Sequence, residues 1–217
     1  YFKVFITNNT YSLITPSMFA NATTLPAFAD VNNLMYGIGF KHEQLDYRLN
    51  PRSGFTIQTE GSAGRKEIKK NAKLDESLYE NINLKTSLYN ISGTAEAYIP
   101  LLKRMTVKIA SNTAWLYNEN LFVNELHRIG GIRTLRGFDE ESIFASFYTI
   151  STAEFRFLLE QNSALYFFYD HCYYEKRTKD EFVHDTPMSF GAGMFLHERR
   201  RLRRYWFRRW WLARHRH

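Results

Sequence analysis

Helical periodicity is scarce along this 217-residue chain, whereas apolar side chains recur at every second position. Leu34, Tyr36, Ile38 and Phe40 alternate with Met35, Gly37, Gly39 and Lys41. Phe55 and Ile57 alternate with Thr56 and Gln58, and a segment from Leu78 sets Ile82, Leu84, Thr86 and Leu88 against Asn81, Asn83, Lys85 and Ser87. Ala97, Ile99 and Leu101 lead into a short Lys103-Arg104 turn. After it, Met105, Val107, Ile109, Trp115 and Tyr117 oppose Thr106, Lys108, Ala110 and Asn112. Ala153, Phe155, Phe157 and Leu159 oppose Thr152, Glu154, Arg156 and Leu158. Leu165, Phe167, Tyr169 and Tyr173 oppose Tyr166, Phe168, Asp170 and Tyr174. Successive strand side chains point to opposite faces, so each run predicts a strand with one apolar face.

The predicted strands are about ten or more residues long, beyond the ~5–6 usual in soluble sheets and close to the ~9–11 of a transmembrane barrel. Aromatic side chains gather towards their ends (Tyr79, Tyr89, Trp115, Tyr117, Tyr173, Tyr174), as interfacial girdles require. Polar stretches at Gly61–Glu76 and Glu175–Asp185 read as long loops at one end, and Lys103-Arg104 as a tight turn at the other. Two architectures share this alternation: an antiparallel outer-membrane barrel and a soluble β-sandwich.

Composition changes the picture in three places. The formal net charge of +7 invites a nucleic-acid or anionic-surface reading. Residues 195–217, however, hold nine Arg, no Lys and one acid, leaving residues 1–194 at a net −1. No nucleic-acid partner is therefore expected for the body of the protein. The single cysteine, Cys172, excludes an internal disulfide and a Cys-based zinc site within one chain. The mean hydropathy of −0.43 does not separate a soluble domain from a barrel, because only alternate barrel residues meet lipid.

The chain opens mid-pattern on Tyr1-Phe2-Lys3-Val4, with no basic segment ahead of an apolar run, and reads as part of something longer. His171 and Cys172 point to opposite faces of one strand and with His184 make no metal site. No nucleophile elbow, phosphate-cradling glycine loop or triad-like grouping is present, so neither an enzyme nor a cofactor is expected.

The informative stretch is Arg128-Ile129-Gly130-Gly131-Ile132-Arg133-Thr134-Leu135-Arg136-Gly137-Phe138. It is followed by Ala153-Glu154-Phe155-Arg156-Phe157 and then Phe168-Tyr169-Asp170, and preceded by Asp46 with Asn50-Pro51-Arg52-Ser53-Gly54. In this order the motifs resemble the barrel of the BamA/TamA-like (bacterial surface antigen) superfamily, over roughly Leu34 to Met194, with Phe190-Gly191-Ala192-Gly193 as a late strand. The resemblance implies an all-β, antiparallel transmembrane barrel of sixteen strands, of which residues 1–194 are a part. It also implies a bacterial outer-membrane location, and a role in inserting or translocating other proteins without nucleotide hydrolysis. The partners implied are outer-membrane lipid, client outer-membrane or secreted proteins, and periplasmic domains of the parent that are absent here. A passive porin or structural barrel is the alternative within the same fold.

The family carries an Arg-Gly-Phe or Arg-Gly-Tyr tip on a loop folded back into the barrel, here Arg136, Gly137 and Phe138. A cation inside a barrel needs an acceptor. Parity places Asp170, Phe168 and Glu154 on non-lipid faces, so Arg136 is expected to reach Asp170 with Glu154 close by. Gly137 would allow a close backbone approach to the wall, and Phe138 would fill space beside it. Two departures stand out. Cys172 occupies the position of a family glycine. The Arg- and Trp-rich tail from Phe195 loses the alternation, and a one-base shift of CG-rich Arg codons permits a glycine-rich strand instead. Residues from about Phe195 are accordingly read as out-of-frame translation, with a cationic lipid- or nucleic-acid-binding segment as the rival.

Overall fold

The structure, a computed structural model, describes residues 1–12, 29–70, 76–79, 82–160, 163–179, 181–198 and 201–207. The strands are β1 (Phe2–Tyr11), β2 (Val31–Leu45), β3 (Gly54–Ile68), β4 (Lys85–Leu102), β5 (Met105–Tyr117), β6 (His127–Ile129), β7 (Ile143–Ala145), β8 (Phe147–Glu160), β9 (Ser163–Arg177), β10 (Phe182–Asp185), β11 (Met188–Glu198) and β12 (Arg201–Phe207). Among the described residues, ten of these form one antiparallel sheet in the order β1-β2-β3-β4-β5-β8-β9-β11-β12, with β10 also on β9. The remaining two, β6 and β7, pair with each other inside the long connection between β5 and β8. Strands β10 and β11 continue one another along β9. Asp185 pairs with Tyr174 and Met188 with His171. Pro187 lies in the gap, where a residue without an N–H interrupts the ladder at least cost.

Parity on β2, β5, β8 and β9 is as the sequence predicts, whereas at the start of β4 Thr86 and Leu88 turn inward, with Leu88 buried and Lys85 and Ser87 exposed. On β2, Tyr36 and Ile38 are exposed while Asn33 and Met35 are buried. On β9, Leu165, Phe167 and Tyr169 face out, and Tyr166, Phe168, Asp170 and Cys172 are buried. The outer face is broad and apolar, with Ile38 69% exposed, Phe167 64% and Ile91 53%. Soluble monomers rarely expose contiguous apolar patches beyond a few hundred Å². Among the described residues no second sheet covers this face.

The two ends of the sheet differ. At one end sit short connections, between β2 and β3 and at Lys103-Arg104. The first of these is pinned by Asp46, whose carboxylate accepts the backbone N–H groups of Tyr47 (2.9 Å), Arg52 (2.9 Å) and Ser53 (3.1 Å). Burial pushes the Asp46 carboxyl upward, but the three donors outweigh it and hold it below the ordinary aspartate range. At the other end lie the long connections, and their apolar residues pack over the sheet. Ala29, Val31, Ile68, Tyr79, Ile82 and Phe122 form one buried cluster there.

Four expectations are corrected at this end of the sheet. β4 begins at Lys85 rather than Leu78, because Glu76–Tyr79 is a 3-10 turn that delivers Tyr79 into the cluster. Tyr79 is therefore a core residue, not part of an aromatic girdle. Gly61–Ile68 is strand, not loop: its polar residues continue β3 past the apolar band, with Lys66 inward and Arg65 and Glu67 outward. Much of Glu175–Asp185 likewise extends the β9–β10 hairpin. In the Arg-rich tail, Arg201–Phe207 pairs with β11, while 199–200 and 208–217 lie outside the described residues.

Candidate functional site: a loop clasped to the inner wall

The connection 118–146 leaves β5, is fastened near the sheet end, and returns along the inner face. Its first fastening is Lys66 of β3, whose ammonium pairs with Glu125 and donates to the carbonyl of Asn120. Glu125 also accepts Asn33 Nδ2 at 3.0 Å and the Phe122 backbone N–H at 3.2 Å. Both charges are removed from water, so these partners replace lost hydration.

After β6 the chain reverses at Gly130, which has φ +119° and no room for a Cβ against the Asp139 carbonyl. Thr134 closes this tip: its hydroxyl accepts the Gly130 N–H at 2.9 Å and donates to the Gly130 carbonyl at 2.8 Å. Leu135 then buries completely among Ile129, Tyr148, Ile150 and Cys172. Cys172 thus fills the space that a glycine would leave, and it packs in the same cluster as the loop's Leu135.

Arg136 follows, and its guanidinium makes a two-pronged contact with Asp170 of β9: Nε to Oδ2 and Nη2 to Oδ1, both 2.7 Å. Its third nitrogen, Nη1, donates to Glu154 Oε2 of β8 at 2.7 Å. The planar fork matches the carboxylate, which is why arginine suits such a site. Beneath it the Phe168 ring lies with its centroid 3.8 Å from the guanidinium carbon. Burial works against the Arg136 charge, and the carboxylates of Asp170 and Glu154 outweigh it, so its pKa is raised. Thr152 donates to Asp170 Oδ1 at 2.7 Å, and Arg156 Nε to Glu154 Oε1 at 2.6 Å.

The six residues singled out in the sequence therefore meet at one place. Arg136, Asp170, Glu154 and Phe168 are in direct contact. Gly137 has φ +90°, and a Cβ on it would come within 3.0 Å of the Ser189 Cβ on β11. Phe138 packs against the buried cluster around Leu135. Sequence reasoning missed Thr152, and it missed the continuation of the network through Glu96, which accepts from Lys108 Nζ and Tyr98 Oη, each at 2.7 Å. Inward parity at Glu96, Lys108 and Thr152 was the available signal. A polar cavity of about 550 Å³ lies between loop and wall, reached by Glu96, Lys108, Arg133 and Arg156.

His171 and Cys172 face opposite sides of β9, with Cys172 buried, while the ring of His184 lies against Tyr173 and Phe182.

A sheet with an apolar outer wall, a charged inner face and a loop clasped to that face by an arginine has the features of an outer-membrane barrel wall. Residues 7–198 match the Omp85 superfamily domain, and the chain belongs to that superfamily of bacterial outer-membrane proteins. No curated protein matches the chain.

Proposed function

We propose that this chain is part of the barrel of a protein that inserts or translocates other proteins at the bacterial outer membrane. The observation that carries the reading is the clasp of Arg136 on Asp170 and Glu154, in a chain of this superfamily. The chemistry required is passive. No group in the clasp is a nucleophile or a poised acid or base; every contact positions charge against charge. The clasp fixes the loop to β8 and β9, leaving the strand edges of the sheet as the groups with unsatisfied N–H and C=O. A client strand would pair with such an edge by β-augmentation, in a barrel of sixteen strands. No enzyme activity and no cofactor belong to this proposal. Its partners are client outer-membrane or secreted proteins, together with periplasmic domains of the parent.

The test is charge reversal, Arg136→Glu, in the full-length protein inserted in membranes. Three quantities are read: protease protection of 118–146, heat-modifiable migration of the barrel, and assembly of a client outer-membrane protein. Loss of loop protection with a fall in client assembly is expected, while the barrel stays folded. Undiminished client assembly with a freed loop would overturn the proposal, and solute flux without client assembly would establish the passive-porin alternative.

A further inference from the structure

We propose that the outer wall carries a binding groove for a phosphorylated glycolipid of the lipid A type, headed by Arg65. The residue rows across β1 to β5 define it. In one row Ile6, Tyr36, Ala63, Tyr89 and Tyr117 are register partners, and in the next Val4, Ile38, Gly61, Ile91 and Trp115. All of these positions lie on the outward parity of their strands. At the centre of both rows β3 offers only Ala63 and Gly61, between tall neighbours on β2 and β4. A Cβ placed on Gly61 meets no atom within 4 Å. The result is an open apolar groove of about 730 Å³ confined to these two rows, with Tyr36 and Ile38 on one side and Tyr89 and Trp115 on the other.

Both rows lie at the aromatic level of the wall. Tyr89, Trp115 and Tyr117 form a contiguous aromatic group, with centroids 6.4 Å and 5.5 Å apart, and Phe147 and Tyr173 continue the aromatic positions across the wall at 6.1 Å. Aromatic rings of this kind mark the level of the lipid headgroups. Below these two rows the outward residues of β3 are Thr59, Ile57 and Phe55, which continue the wall without lining the groove.

One row above the aromatic level, β3 presents Arg65, exposed and outward, between Leu34 of β2 and Ser87 of β4. Its neighbours Glu67 and Lys85 pair with each other at 3.3 Å, whereas Arg65 has no ion-pair partner among the described residues. An arginine is a forked donor matched to phosphate, and here it stands at the mouth of an apolar groove with its charge uncompensated. The groove opens towards the end carrying the long connections, which in outer-membrane barrels faces the cell exterior. The leaflet on that side supplies phosphorylated glycolipid rather than anionic phospholipid. The inference needs the wall to face lipid. It does not need the protein to handle clients.

Native mass spectrometry of the full-length protein, purified in mild detergent and supplied with diphosphoryl lipid A or phosphatidylglycerol, tests this. Arg65→Gln should lower lipid A retention about tenfold, the scale of one lost charge-assisted contact. Gly61→Leu, which fills the groove, should lower it similarly, with heat-modifiable migration and client assembly unchanged in both. Wild-type retention by Arg65→Gln would overturn the assignment, as would equal retention of phosphatidylglycerol by the unaltered protein. Should Gly61→Leu fail to fold, Arg65→Gln decides alone, because its side chain projects beyond the groove wall.

Discussion

Lys66, on β3, and Glu125, in the connection after β5, are paired with neither side chain reaching solvent. Removing one member of a buried pair strands the other charge, at a cost of about 3–5 kcal/mol. Lys66→Ala or Glu125→Ala should therefore lower the urea midpoint of the inserted protein substantially. Lys66→Met combined with Glu125→Leu should recover most of the loss. A double variant as unstable as the sum of the two singles would show that the charges do not act as a pair.

The clasp makes a separable prediction. Asp170→Asn keeps the shape of the β9 side chain but removes the charge from both prongs of the Arg136 contact. Hydrogen bonds to charged groups contribute about 1.5–3 kcal/mol. Arg136 would remain on Glu154, which it shares with Arg156, so the loop should loosen rather than detach. Limited proteolysis of 118–146 should show intermediate protection, between the unaltered protein and Arg136→Ala.

Gly137→Ala tests the backbone. With φ at +90° a side chain is strained wherever it points, at about 1–3 kcal/mol, and the new Cβ also crowds Ser189. Adding Ser189→Gly should relieve the crowding and leave the backbone strain. Partial recovery of the urea midpoint in the double variant is the expected outcome, and full recovery would locate the whole effect in the contact.

Asp46 gives an acid limit. Its pKa is depressed in the folded turn, so its contribution is present above the unfolded aspartate value near ~4 and is lost as pH falls through the folded value. Asp46→Asn should remove that contribution at neutral pH, lowering stability there towards the acid value, and so flatten the profile below about pH 4. An unaltered acid limb in Asp46→Asn would assign the dependence elsewhere.

His127, in β6, also loses its contribution as pH falls, but because its neutral form is the one favoured. Burial alone lowers its pKa, its Nε2 has no hydrogen-bond partner among the described residues, and it meets the Tyr148 ring edge-on. Neutral histidine is favoured in the folded loop, so stability is full above the unfolded value near ~6.5 and falls as pH drops below it. Protease sensitivity of 118–146 should therefore rise between about pH 7 and pH 5. His127→Phe should abolish that rise.

Much of this was legible beforehand because a strand's period of two is local. Asp170, Phe168 and Glu154 could be set on the inner face from neighbours one residue away, and an arginine on an inward loop needed a carboxylate. The distances were not legible, nor was Thr152, whose hydroxyl matters only because register places it beside Asp170. The sheet-end cluster was misread for a related reason. Lys66 sits in a polar run that looks solvated, and Tyr79 looks interfacial, until connections distant in sequence fold over both. Burial created by loops leaves no periodic trace.

The two fastenings of the 118–146 connection lie on β3 and on β8–β9, with β4 and β5 between them. A single covalent segment therefore acts as a cross-brace, tying strands that are not hydrogen-bonded neighbours. Separating β3 from β9 would require breaking a buried ion pair or an arginine fork as well as backbone ladders. Opening of the sheet is thereby directed away from the braced sector and towards its outermost strands, β1 and β12, which neither the ion pair nor the arginine fork holds. The loop thus determines which part of the wall yields first.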